Sequence, residues 1–283
     1  MIYSMVVNLQ PEHDAEISAN LGHHALALFL SLIRCVDEPL AQRLHFADGH
    51  KPFTVSPLQG KFGRRKASIS IRSGAPCWLR FTALDEMVFA RLMDSMLKGE
   101  PHVHLDNAAF RVTDVITHPQ GSPWAGFASC ETMLEQAAAE TRISLHFTSP
   151  TVFRSAGKRN VAFPSPEMVF GSLLIKWNAF SENKLDSSLI DTVGKSILVS
   201  RYKLETKMLD FGGYQELGFI GGCEYVIKDR VPEKTLKNLN ALTDFAFFCG
   251  TGAKTTMGMG QTRRLNYARA VPGGARSHLE KTG

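Results

Sequence analysis

One pattern limits this chain more than any other: the order strand, helix, strand, strand, helix, strand can be read in it twice. In the first half, residues 2–9 are a β-rich run, and residues 19–35 carry leucine, alanine and phenylalanine at helical spacing. Pro39 in a first turn starts a short helix ending near Leu44. Residues 53–56 and 67–81 read as strands, the second run broken at Ser73, Gly74, Ala75 and Pro76. Residues 84–98 place Leu84, Val88, Leu92 and Met96 on one helical face, with Gly99 at the end, and residues 110–117 close the half as a strand.

The second half repeats this order. Residues 141–148 alternate polar and apolar, and Ser165 with Pro166 opens a helix to about Phe180. Residues 197–209 and 214–227 are strands joined by Asp210, Phe211, Gly212 and Gly213, a hairpin signal. Pro232 opens a helix through Phe248, and residues 260–267 form a last strand. The unit β-α-β-β-α-β is ferredoxin-like. The expectation is an α+β chain of two tandem ferredoxin-like domains, 1–117 and 141–267. Between them lie a linker and short helix at 118–140, and a disordered tail follows at 268–283. Such folds host many functions, so the architecture alone assigns none.

Composition narrows the class without naming it. A net charge of +5 in 283 residues permits a polyanionic partner without requiring one. The five cysteines are scattered and form no C-x-x-C pair, so neither a disulfide framework nor a cysteine zinc site is expected. The N-terminus has no basic n-region, and the most apolar stretch, 25–33, falls well short of the ~20 residues that span a bilayer. A soluble cytoplasmic protein with no membrane association is expected.

The most specific segment runs from Gly250 to Gly260, with glycines at 250, 252, 258 and 260 and a lysine at 254, between the last helix and the last strand. Glycines let a backbone approach a ligand closely, their N–H groups can face phosphate oxygens, and Lys254 would add charge. The loop is not a Walker loop: Lys254 follows Ala253, Phe248 occupies the first glycine position, and the loop leads from helix to strand. It is not a dinucleotide fingerprint either, since no helix starts after it. A plain glycine-rich turn is the bland alternative.

Three basic runs accompany the loop. Alternate residues of a strand share a face, so Arg201, Lys203 and Lys207 line up along 197–209, interrupted by Glu205. Arg154, Lys158 and Arg159 form a basic loop beside Gly157, and Lys61, Arg64, Arg65 and Lys66 form another. Each alone reads as solvated surface; with the glycine loop (Gly250, Gly252, Lys254, Gly258, Gly260) they make a phosphate track. His102 and His104 have metal-ligand spacing without an evident third ligand. His146-Phe147-Thr148 matches half of a two-histidine phosphoesterase signature, and the second triplet does not exist.

The glycine loop, ending a tandem ferredoxin-like chain, resembles that of the CRISPR repeat-processing endoribonucleases, the sixth Cas family of the RAMP superfamily. Residues 149–154 (SPTVFR), 164–166 (PSP), Trp177-Asn178, 217–222 (LGFIGG), 40–45 (LAQRLH) and 51–58 (KPFTVSPL) are similar to further family segments. The resemblance implies a protein that binds the repeat of a long CRISPR transcript and cuts once per repeat. In that reaction the RNA 2′-OH attacks the adjacent phosphate, leaving a cyclic phosphate and a 5′-hydroxyl without metal or other cofactor. In members with a tyrosine–histidine–lysine site, the histidine and lysine match His45 and Lys51, while the tyrosine position is Leu30. The resemblance thus makes His45 general acid/base and Lys51 phosphate stabiliser, with His24 in reserve and His23 and His50 as competitors. The implied partner is CRISPR repeat RNA; other Cas effector subunits and a homodimer stay open. Two further readings stand beside the enzyme: a non-catalytic RNA-binding subunit of a CRISPR effector complex, and an unrelated protein whose glycine loop binds a small phosphorylated ligand.

Overall fold

The computed structural model describes residues 1–265 except 66, 99–101, 156, 158 and 229. The expected tail at 268–283 lies outside the described residues.

The first half is built on β1 (Ile2–Pro11), α1 (Leu21–Arg34), α2 (Glu38–Phe46), β2 (Phe53–Val55), β3 (Cys77–Ala83), α3 (Glu86–Lys98), β4 (His102–Leu105) and β5 (Ala108–Ile116). Its main antiparallel sheet runs β2-β3-β1-β5-β4, the second-third-first-fourth strand order of a ferredoxin-like unit, with β4 added at one edge. α1 is held on this sheet by a stripe at helical spacing (Leu21, Ala25, Leu28, Phe29, Ile33), all buried. Phe29 stacks on Phe53 with ring centroids 4.2 Å apart.

The second half comprises β6 (Arg142–Thr151), α5 (Pro166–Phe180), α6 (Leu189–Ser196), β7 (Ile197–Asp210), β8 (Gln215–Ile227), α7 (Glu233–Cys249) and β9 (Thr262–Arg264), preceded by α4 (Cys130–Gln136). Its sheet, β7-β8-β6-β9, has the same strand order. Trp177 of α5 meets Phe245 of α7 edge-on at 5.1 Å over a core that includes Phe147, Phe219 and Tyr225. The two ferredoxin-like units therefore stand in tandem.

Some elements differ from the sequence reading. The run 67–81 is not one strand pair around a turn. Ser68–Ile71 joins Ala15–Ser18 and Gly63–Arg64 in a separate three-stranded sheet, and only Cys77–Ala83 enters the main sheet. Both pieces alternate in the same way, so periodicity could not tell which partner each would find. Within 118–140, Gly126–Ala128 pairs with β1 beside its start, and the short helix covers Cys130–Gln136. α6 was not expected from the sequence. Among the described residues, no helix is long and apolar enough to cross a membrane.

Candidate active site

α2 is a short helix with both ends defined by sequence. Asp37 caps it by accepting from the Leu40 amide at 2.9 Å, and Pro39 sits in its first turn. Leu40, Ala41 and Leu44 are buried, which leaves His45 and Phe46 at the end of the helix facing solvent. The Phe46 ring is 75% exposed and stands edge-on to the His45 imidazole, with centroids 4.7 Å apart. Gly49, at φ +80°, turns the chain back towards the helix. Lys51 Nζ then donates to the His45 carbonyl at 2.6 Å. A cation on the last carbonyls of a helix is favoured by the helix dipole. Partial burial lowers the Lys51 ammonium below its ordinary value. The structure thus brings His45 and Lys51 together on one exposed ledge.

The other candidates fall elsewhere. Leu30, at the family tyrosine position, is buried in the first core. His24 Nε2 lies 3.7 Å from Asp106 in the β4–β5 turn, and burial lowers its pKa despite that carboxylate. His23 is exposed on α1. His50 precedes Lys51 in the chain; partial burial and then the Lys176 ammonium lower its pKa. His102 Nδ1 is 2.5 Å from Glu12.

The glycine loop is folded closely onto the protein. Gly250, Gly252, Gly258 and Gly260 have φ of +63°, +78°, +84° and +70°, a region that favours glycine. A Cβ on Gly260 would stand 2.1 Å from the Thr251 carbonyl oxygen, and one on Gly252 2.4 Å from that of Val152. Gly258 packs against Gly22 at the start of α1, where a Cβ on Gly22 would lie 1.9 Å from the Met257 carbonyl oxygen. The amides of Thr251, Ala253 and Gly260 donate to Gly260, Val152 and Pro150 carbonyls. The glycines thus fold the loop and dock it on the first domain. Lys254 also turns inward. Its ammonium pairs with Glu216 and lies 4.7 and 4.2 Å from the ring centroids of Phe211 and Tyr214.

Two buried cations that the sequence reading passed over organise this junction. Lys176, on α5, donates to the carbonyls of Cys249, Gly250 and Gly252 at 3.2, 3.0 and 3.1 Å and holds the loop from beneath. Arg80, on β3, is fully buried and bridges the halves. Its Nε donates to Ser4 Oγ at 2.8 Å and Trp124 O at 3.0 Å, Nη1 to Gln261 Oε1 at 2.7 Å, and Nη2 to Phe247 O at 2.5 Å. The guanidinium also lies 4.2 Å from the Phe247 ring centroid. Both were visible as a single charge inside an apolar run, CWLRFTA and LLIKWNAF, which is rare without a partner.

Of the basic runs, Arg154 and Arg159 are exposed on a small hairpin, while Lys158 lies outside the described residues. A bulge between Val199 and Arg201 resets β7, after which Arg201, Lys203, Glu205 and Lys207 share one exposed face. Lys207 Nζ is 3.3 Å from Glu205. Lys61 is exposed and Arg65 pairs with Glu16 at 3.2 Å; Lys66 lies outside the described residues. Lys207, Phe211, Gly22, Pro57 and Gly258 are among the residues lining a cleft of about 270 Å³ between the halves.

Two ferredoxin-like units docked through a C-terminal glycine loop are the architecture that the sequence resemblance implied. Residues 1–135 match the CRISPR Cas6 N-terminal domain, and residues 145–262 match the CRISPR-associated endoribonuclease Cas6. The chain belongs to the Cas6 family. It is similar to the CRISPR-associated endoribonuclease Cas6 of Mycobacterium tuberculosis, 32% identical over 129 residues, which is 45% of this chain and 40% of that protein. It is likewise similar to that of Streptococcus thermophilus, 31% identical over 124 residues, 43% of this chain and 49% of that one. These matched segments span less than half of either relative. Among solved structures, a Cas6 product complex superposes with a TM-score of 0.80 at 28% identity, covering 94% of this chain and 100% of that one. Thermus thermophilus Cas6 superposes at 0.73 and 29% identity, covering 94% and 98%.

Proposed function

We propose that this chain binds CRISPR repeat RNA and cuts the precursor transcript within each repeat, without a metal, to give mature guide RNAs. The observation that carries the reading is the contact of Lys51 with His45: an exposed histidine whose backbone carbonyl accepts from the lysine ammonium. In the reaction the 2′-oxygen attacks the adjacent phosphorus as its proton leaves to a base. The P–O5′ bond breaks and the 5′-oxygen takes a proton, giving a 2′,3′-cyclic phosphate and a 5′-hydroxyl. Histidine exchanges protons at neutral pH. His45 serves as general acid/base, and Lys51 supports the charge on the pentacoordinate phosphate. His50, next to Lys51 in the chain, is the nearest second proton carrier in sequence, and His24, whose partly buried Nε2 has no hydrogen-bond partner, stays the reserve candidate. The buried Leu30 takes no part. Arg154, Lys158, Arg159, Arg201, Lys203 and Lys207 are read as backbone contacts for the RNA.

The test uses labelled repeat RNA with the purified protein in EDTA, beside His45→Ala and an RNA carrying a 2′-deoxy sugar at the cut. A single cut that survives EDTA and vanishes with either change is expected. Tight binding with no cut in any arm would instead make the chain a non-catalytic RNA-binding subunit.

A further inference from the structure

The hairpin β7–β8 is longer than the sheet that supports it. Its two strands pair from Ile197 with Ile227 out to Asp210 with Gln215, but pairing of β8 with β6 ends at Phe219. Beyond that point two strands stand without a third, an arrangement that is marginal in water. This outer part carries Lys207, whereas Arg201 and Lys203 lie on the same face nearer the sheet.

The tip is nevertheless fastened, from the glycine loop. Phe211 and Tyr214 flank the turn and stack with centroids 5.2 Å apart, and the Lys254 ammonium lies over both rings. Glu216 completes the enclosure by accepting from Lys254 and from Asn160 Nδ2. Side-chain exposure is only 11% for Lys254 and 5% for Glu216. A phosphate would compete with Glu216 for this lysine and would leave the buried carboxylate with Asn160 as its remaining partner. Lys254 itself adopts φ +57°, outside the usual region for a side-chain-bearing residue, so the loop is shaped to deliver it here.

We propose that Lys254, Glu216, Phe211 and Tyr214 form a clasp that fixes the basic hairpin across the cleft, making Lys254 a positioning residue for RNA rather than a phosphate ligand. The inference rests on the RNA-binding reading above. The clasp converts a free-standing ribbon into a rigid arm, so the Arg201–Lys207 face meets the RNA backbone already ordered.

The two roles predict opposite signs for one substitution. For a clasp, Glu216→Gln and Lys254→Met each weaken repeat-RNA binding by about tenfold, the double variant is no worse than either single, and the salt dependence keeps its slope. Amide exchange across residues 205–217 rises in both variants, and the exchanged pair Glu216→Lys with Lys254→Glu restores part of the affinity. If Lys254 contacts phosphate directly, Glu216→Gln tightens binding by freeing the ammonium, and Lys254→Met lowers the salt slope by about one; that result overturns the proposal. Unchanged binding with faster exchange would also overturn it, because the clasp would then hold the hairpin without positioning RNA. Should the unaltered protein fail to bind repeat RNA, the proposed function fails, while the exchange experiment still decides whether the clasp exists.

Discussion

Arg80 offers the sharpest energetic test of how the two halves are joined. Its guanidinium is buried and pushed down to about 9 by desolvation, yet stays charged at neutral pH. Its hydrogen bonds favour the charged form against that desolvation, with the single Nε hydrogen shared between Ser4 and Trp124. In Arg80→Met, Ser4 Oγ can still donate to Trp124 O, as it does now at 2.5 Å, but Gln261 Oε1 and Phe247 O lose their donor. Two orphaned buried acceptors at ~1–3 kcal/mol each, partly relieved by removing the desolvated charge, set a net loss of about 3 kcal/mol. Thermal unfolding is the assay, with an expected fall in Tm of about 6–12 °C. The transition should also broaden, because Arg80 joins residues of both domains. A Met variant as stable as the original, or more so, would refute the reasoning: the buried cation would then be a net burden, as some buried ion pairs are.

Two further outcomes follow from packing and titration. Gly22→Ala gains helix propensity, worth up to ~1 kcal/mol, but drives a Cβ to 1.9 Å from the Met257 carbonyl oxygen. Overpacking of ~1–3 kcal/mol wins, so urea unfolding should show a loss of stability. His24, His50 and His146 all hold pKa values below 6.5 in the fold, each through burial first. Below pH 6.5 the unfolded chain therefore binds more protons, so stability is retained above that pH and lost as pH falls towards the folded values. Replacing His24 with asparagine should flatten the dependence of Tm on pH over that window. An unchanged slope would refute its share.

The division between sequence and tertiary structure follows from distance along the chain. Spacing determined α1, α3, α5 and α7, because a helix is specified by neighbours three and four residues away. Asp37, Pro39 and the apolar face of α2 likewise left His45 exposed through local chemistry alone. Lys51 lies six residues on and reaches back within the same short segment. Alternation did not determine which sheet Ser68–Ile71 would join, because a strand pattern names a face and not a partner. The glycines of 250–260 were legible as places of close backbone approach, but not what they approach, which is protein backbone from Val152 and Gly22. Lys254 read as a free charge until Glu216, 38 residues earlier, met it, and Arg80 finds Gln261 at a separation of 181 residues. Those pairings exist only once two separately formed cores dock, and a period of two or 3.6 residues carries no information about that docking.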